Sequence, residues 1–258
     1  MCRLRIIAAA LACAGVVACG FDGLGTGPET TDAATSSDPR GGAIADGGGG
    51  SGNGASSNLD LGDGRAADGA PVGPELTLQM MMPAQNVDLE SEGTLGWIHW
   101  GLTDNHSTNE KSTAKGAIPT FTLTGSTDLR TYSDNFTQFK WNSGSPLASE
   151  SGTNNGVYAK TGFPKFTLQR PAGIGAFRLV IYAAVFEAKG HFTVKLGTGA
   201  TPPVSADLDN HAHGYGRFVI DYRAVDASNL VITWELVTAY DPNNSNVTLA
   251  AATLTTRP

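Results

Sequence analysis

Cysteine is almost absent from this sequence, and its distribution excludes several kinds of chemistry. The chain of 258 residues has three cysteines, at positions 2, 13 and 19, and none after Cys19. Any folded region beyond that point therefore has no disulfide, no catalytic thiol and no cysteine-based zinc site. Its stability must come from a hydrophobic core alone, which is feasible at this length.

Positive charge and diagnostic catalytic motifs are also scarce. The formal net charge is −7, so the chain has no electrostatic reason to seek phosphate backbones, and we expect no nucleic-acid partner. We find no nucleophile with its base, no paired-carboxylate site and no phosphate-binding glycine loop with characteristic spacing. The sequence thus predicts a protein that is not an enzyme and uses no cofactor. A site assembled from residues distant in sequence, such as His106, Tyr158 and Glu150, would escape such a search.

Aromatic residues are missing from a long stretch near the N-terminus. Between Phe21 and Glu75 there is no Phe, Trp or Tyr, and the composition is dominated by Gly, Ser, Ala, Asp and Thr. Such a segment cannot bury enough apolar surface to offset the entropy lost on ordering. We therefore predict a disordered tether over residues 19–75, with a root-mean-square reach of roughly 40 Å.

The first 18 residues have the organisation of an export signal. Two arginines precede an apolar run over residues 6–18, which is too short to span a bilayer. The Val-Val-Ala-Cys sequence at 16–19 resembles a lipobox, in which a small residue before cysteine permits cleavage and the thiol receives diacylglycerol. We predict a lipoprotein with its signal peptide at 1–18 and its lipid, such as palmitate, at Cys19. An ordinary secretory signal peptide is the alternative.

A lipid anchor fixes the expected location and one partner. Lipidation holds a protein on a membrane without a transmembrane helix. We therefore expect an extracytoplasmic protein on the bacterial cell envelope. The outer membrane is favoured, because Gly20 and Phe21 after the cysteine lack the aspartate-based retention signal of enteric bacteria.

Short segments of alternating polarity dominate residues 76–258, which we predict to be a single domain. In 192–196, 217–223 and 230–236, apolar residues alternate with polar ones, and this predicts strands with one face toward water. Further strands are predicted at 77–82, 96–102, 119–123, 137–141, 165–168, 176–186 and 247–254.

The fold class follows from this pattern. We predict an all-β fold, an antiparallel jelly-roll-like β-sandwich preceded by the disordered linker, with immunoglobulin-like topologies left open. The segment 187–191 predicts a hairpin turn in which Gly190 supplies the unusual backbone angle.

Three parts of the domain form a recognisable set: Gly-Trp-Ile-His-Trp-Gly at 96–101, the run 177–196 with 205–210, and the close at 231–234 with 246–254. This set resembles bacterial extracellular β-sandwich modules that accompany secreted glycosidases or immunoglobulin-like repeats. The resemblance implies a carbohydrate-binding accessory fold. Gly96 stands where the pattern has aspartate, so a ligand or hydrogen bond from that carboxylate is missing.

The tryptophan motif supplies the candidate ligand-binding residues. Strand alternation puts Trp97 and His99 on one face and Ile98 and Trp100 on the other. An exposed indole beside an imidazole suits sugar recognition, because the ring stacks on the apolar face of a pyranose while histidine reaches a hydroxyl. Trp141, in the aromatic segment 132–141, is a further candidate. The alternative is that these side chains pack in the core.

A second candidate site collects metal-ligating residue types in a predicted loop between two strong strands. Asp207, Asp209, His211 and His213 alternate with other residues, so each pair can point to one side. However, a His-x-His pair needs a third protein ligand, and none is evident nearby. A turn stabilised by Asp and Asn side chains is the alternative.

We expect a membrane-anchored, non-catalytic ligand-binding module whose ligand is a glycan. The alternative is a structural or adhesive envelope lipoprotein that binds a protein partner. Exposed aromatic side chains at one site would favour the glycan, and a broad exposed apolar patch would favour the protein partner.

Overall fold

A computed structural model describes residues 73–197, 199 and 201–257. The predicted signal peptide, Cys19 and nearly all of the predicted tether lie outside these residues. Among the described residues, no helix is both long and apolar enough to cross a membrane.

The described region is built almost entirely of strands, as predicted, with one helical turn. Its elements are β1 (Glu75–Met81), β2 (Asn86–Asp88), α1 (Leu89–Glu92), β3 (Gly96–Trp100), β4 (Thr108–Lys111), β5 (Thr122–Thr124), β6 (Asp128–Tyr132), β7 (Gln138–Trp141), β8 (Gly144–Ser145), β9 (Glu150–Thr153), β10 (Gly156–Lys160), β11 (Lys165–Pro171), β12 (Gly175–Leu196), β13 (Val204–Ala224), β14 (Asn229–Ala239) and β15 (Asn246–Thr256).

One large antiparallel sheet curls around the main core. Its long strands β12 and β13 pair along almost their whole length. On the edge of β12 opposite β13, the first half of β12 pairs with β15 and the second half pairs with β14. We call the first half, with the part of β13 that pairs with it (residues 213–224) and with β15, β10, β6 and β3, the front of the sandwich. The second half, with β14, β11 and β5, is the back. Apolar side chains from both halves form one buried cluster.

The change of partner occurs at a bulge in β12. The pairing register shifts between Phe186 and Ala188, and Glu187 has a positive φ of 46°. The Glu187 carbonyl accepts hydrogen bonds from the backbone N–H of Tyr240 and the hydroxyl of Ser245. The bulge also changes which residues face the core. Odd-numbered side chains such as Val185 point inward before it, and even-numbered ones such as Phe192 point inward after it.

The hairpin turn predicted at 187–191 is therefore wrong, because β12 runs on through it. Gly190 is needed for a different reason than a turn. A Cβ atom there would lie 2.1 Å from Cη2 of Trp234, whose ring packs directly over the glycine. Lys189 and His191 alternate with buried neighbours, as in any strand that has one face toward solvent.

A small second sheet covers part of the outer face of the front. Strands β2, β7 and β9 form it, and β2 and β7 are parallel. Together with α1 they bury a second apolar cluster against that face. The carboxylate of Glu92, on α1, connects this covering layer to the front, because it accepts hydrogen bonds from Tyr182, Thr253 and Arg217.

Candidate functional site

The four candidate ligand-binding residues lie in the two cores. Trp97, His99, Trp100 and Trp141 have exposed fractions of 2%, 0%, 1% and 3%. None of the four rings presents a face to solvent in this structure. Ligand binding by them stays an untested prediction, and we therefore look for a site elsewhere.

Three of these residues come together in the second cluster. The rings of Trp97 and His99 lie 5.3 Å and 5.4 Å from that of Trp141, measured between centroids. Each of the two indoles has a structural partner, since Trp97 donates to Glu90 at 3.0 Å and Trp141 donates to the Leu147 carbonyl at 3.1 Å. Trp100 points the other way, into the main core.

His99 is a buried base without a hydrogen bond. Neither ring nitrogen has a partner among the described residues. Burial lowers the pKa of His99 to about 3, and the backbone of Asn155 opposes this shift only in part. The ring is therefore neutral at physiological pH and serves as packing against Phe139 and Trp141.

The candidate metal ligands lie on a strand and not in a loop, so both the loop and the turn expected there are wrong. All four belong to β13. Asp207 bonds His191 and Lys189, which hold the pKa of its carboxyl below the usual value. The Tyr240 hydroxyl donates to Asp209 at 2.7 Å. No group of three metal-ligating side chains occurs within the described part of the chain.

The two histidines of that segment also go to different places. His211 stacks on the ring of Tyr240 at a centroid distance of 3.8 Å. His213 lies against Phe186 at 4.6 Å, at the edge of a groove described below.

The three residues considered for an assembled catalytic site are also apart. His106 lines a small cavity beside Trp100. Glu150, on β9, accepts a hydrogen bond from the Gly152 backbone. Only Tyr158 lies in the groove.

A groove of about 500 Å³ occupies the outer face of the front where the second sheet does not cover it. Five aromatic side chains line it: Tyr132, Tyr158, Phe186, His213 and Tyr215. Hydroxyl, amide and carboxylate groups stand between them, supplied by Thr131, Ser133, Asp134, Asn246 and Thr248.

Strand register sets the shape of this groove. One row of paired residues crosses four strands in the order Tyr158, Thr248, Ala184 and Tyr215. Residues paired across antiparallel strands point to the same side, so the two small residues form a floor and the two tyrosines stand on either side. The next row places Asn246, Phe186 and His213 side by side.

The wall beside Tyr158 is fixed by close packing. Tyr132 pairs with Gly156 across β6 and β10, and a Cβ atom at Gly156 would lie 2.5 Å from the tyrosine oxygen. Only glycine lets the ring lie so close to the backbone. Asn135 donates to the Tyr132 hydroxyl at 3.1 Å. Burial raises the pKa of Tyr132, and the charge of Asp134 adds to the shift.

The opposite wall is an aromatic row. The rings of His213 and Tyr215 are nearly parallel, with centroids 6.1 Å apart and an interplanar angle of 6°. Phe136 supports Tyr215 from the side at 5.5 Å. Burial raises the pKa of the Tyr215 phenol, and Asp134 contributes again, so both tyrosines remain neutral donors at physiological pH.

The groove residues were only partly visible in the sequence. The sequence indicates the aromatic segment 132–141, but its groove residues are Tyr132, Ser133 and Asp134, at the start, and Trp141 is buried. Tyr158 lies on β10, which alternation did not predict. The sequence does contain a weak indication of this strand in Gly-Val-Tyr-Ala-Lys at 156–160. Its apolar and polar residues alternate, but the contrast is small because Val157 and Ala159 have small side chains.

Comparison with known proteins gives no family. No model of a protein family matches the chain, and no curated protein is similar to it. Among solved structures, TmCBM61 in complex with β-1,4-galactotriose is similar over 53% of this chain and 88% of its own, with 9% identity and a TM-score of 0.37. The enzymatically active domain of tailspike protein 4 of bacteriophage CBA120 is similar over 53% of this chain and 20% of its own, with 11% identity and a TM-score of 0.35.

Proposed function

We propose that this protein is a non-catalytic glycan-binding module and that the groove on the front face is its binding site. The observation behind the proposal is the row in which Tyr158 and Tyr215 stand on either side of a floor made by Thr248 and Ala184. A pyranose has flat apolar faces and a rim of hydroxyls. It therefore suits a groove with aromatic walls and a few well-placed polar groups.

The polar groups supply the second half of recognition. Asn246 and Thr248 lie on the groove lining with side chains that can both donate and accept hydrogen bonds. The neutral phenols add further donors. An oligosaccharide of a few units would stack on the aromatic walls, and hydrogen bonds between its hydroxyls and these polar groups would orient it.

A glycan array tests the proposal. The full chain, exported from a bacterial host and purified in detergent, is compared with the Tyr158→Ala and Tyr215→Ala variants. Truncation of a central aromatic residue in a binding site weakens binding by about tenfold or more, so each variant should lose most of the array signal. Tyr240→Ala is the matched control, since this tyrosine is exposed and is not part of the groove lining. Absence of array binding by the unaltered chain would refute the proposal.

We further propose that the module is held on the outside of the cell envelope by a lipid on Cys19. The lipobox-like sequence at 16–19 and the glycine-rich segment after it support this arrangement. A long flexible connection would let the groove search for glycans beyond the membrane surface.

One surface favours the second candidate, a protein partner. Met80, Met81 and Met82 are exposed at 42%, 41% and 60%. They lie at and just beyond the end of β1, which pairs only with β13 among the described strands. An exposed edge with flexible apolar side chains is suited to protein contacts. Replacement of the three methionines by glutamine should then abolish capture of an envelope protein while leaving the array signal unchanged.

A further inference from the structure

The charge of the groove narrows the class of glycan that it can hold. Asp134 supplies the only carboxylate among the described lining residues, and no lysine or arginine lines the groove in that part of the chain. The ion pairs among the described residues do not include Asp134. The lining therefore presents a carboxylate that has no ion-pair partner among the described residues.

The neighbouring bases have other partners. Arg130 is the cross-strand neighbour of Tyr158, but its guanidinium donates two hydrogen bonds to Asp128, at 2.6 Å and 3.2 Å. Lys160, at the same end, donates to the Asn243 carbonyl. Strand register puts both cations on the same face as Tyr158, but neither belongs to the groove lining. Asp134 follows Tyr132, at the opposite end of the groove from Lys160. An acidic sugar at the Asp134 end would therefore meet a carboxylate with no lysine or arginine beside it.

The aromatic walls act in the same direction as the carboxylate. The face of a tyrosine or phenylalanine ring is electronegative and attracts a cation that lies over it. Asp134 is near enough to Tyr132 and Tyr215 to raise the pKa of both phenols. A positive group on a sugar held between the walls would meet both the rings and the carboxylate.

We propose that the groove selects glycans with free amino groups, such as those built from glucosamine, over their acetylated and acidic counterparts, with Asp134 as the residue that discriminates. This proposal rests on the proposed glycan-binding function. It goes further by assigning a ligand class and a specificity-determining residue.

The test compares three short oligosaccharides at equal length: oligomers of glucosamine, of N-acetylglucosamine and of galacturonic acid. Binding to the full chain in detergent is measured by calorimetry at mildly acidic pH, where the amino groups of the glucosamine oligomer are protonated. We expect the glucosamine oligomer to bind about three- to tenfold more tightly than its acetylated form, the range for a partly exposed charge contact with a cation–π contribution.

Asp134→Asn isolates the carboxylate, because asparagine keeps the shape and hydrogen-bonding capacity of the side chain. This variant should bind the amino and acetylated oligomers equally, with affinity for the acetylated form retained. Asp226→Asn, an exposed carboxylate in the turn before β14 and away from the groove, should keep the preference.

Four results would overturn the inference. Equal binding of the amino and acetylated oligomers by the unaltered chain would do so and leave glycan binding intact. A preference that survives in Asp134→Asn would assign it to other residues. An oligolysine of equal charge could also displace the bound glycan as effectively as the glucosamine oligomer does. That result would mean that the groove recognises positive charge alone. Failure to bind any of the three oligomers, together with a blank array, would remove the proposed function as well.

Discussion

At the scale of single residues, the four tryptophan-motif candidates illustrate what alternation can and cannot predict. The sequence correctly separated Trp97 and His99 from Ile98 and Trp100, which face different clusters. The alternative interpretation, that these side chains pack in the core, is the one the structure shows. The sequence did not indicate which element covers the Trp97 face. The covering sheet contains Asn86–Asp88 and Glu150–Thr153, polar segments with no sustained alternation, so nothing in the pattern indicated a third layer.

The burial of His99 makes a prediction about stability and pH. Its pKa of about 3 in the folded protein lies below the value of 6.5 expected when exposed. Between pH 6.5 and about pH 3 the unfolded chain therefore binds a proton at His99 that the folded protein does not bind. The stability that comes from burying the neutral ring is fully present above pH 6.5 and is lost as the pH falls toward 3. Unfolding in urea should show that this group costs about 3 kcal/mol of stability between about pH 7 and pH 4.

A variant comparison separates His99 from the other titrating groups. His99→Leu should lose less stability on acidification than the unaltered chain, by that amount. His106→Leu, at an exposed histidine, should behave like the unaltered chain. The same loss of stability in all three proteins would contradict the assignment.

At the scale of elements, the strands of the main sheet were largely predictable and their length was not. Every strand predicted from alternation overlaps an observed strand. The prediction divided β12 because the bulge at Glu187 shifts its alternation by one residue, and a polar segment with a glycine then resembles a turn. It missed the first half of β13 because the Asp and His residues there indicated a loop. Correct assignment needed the contact between Gly190 and Trp234, which joins residues far apart in sequence.

That contact gives the prediction for Gly190. Gly190→Ala would force a methyl group into the buried ring of Trp234, which has no room to move because it is 0% exposed. Overpacking of this kind costs about 1–3 kcal/mol, and the midpoint of thermal unfolding should fall accordingly. Gly73→Ala is the control, because nothing lies within 4 Å of the added methyl group. A midpoint unchanged in Gly190→Ala would show that the bulged strand can shift.

At the scale of the whole molecule, the sequence divided the chain where its composition changes. The all-β fold of the described region is confirmed, with a second small sheet added to the predicted sandwich. The groove could not be predicted from the sequence. It exists because a row of small residues on β15 and β12 is left uncovered between tyrosines from β10 and β13, and that juxtaposition depends on pairing across four strands.

The proposed anchor makes a prediction about the entire protein. In an exporting bacterium, Cys19→Ser should prevent lipid attachment and move the protein from the membrane fraction to a soluble fraction. Labelling with radioactive palmitate should mark the unaltered chain and leave the variant unlabelled. Cys13→Ser, within the predicted signal, should be labelled normally. A labelled Cys19→Ser variant would place the lipid on another residue.

The central claim is that a glycan occupies the groove, and nuclear magnetic resonance of the isotope-labelled protein tests it most directly. A glycan bound on the array is titrated while the ring signals of Tyr158, Tyr215 and His213 and the indole N–H signals of the tryptophans are followed. We predict that the three groove rings shift in proportion to occupancy and that the buried indoles of Trp97, Trp100 and Trp141 do not. Shifts at the indoles, with the groove rings unchanged, would contradict the claim.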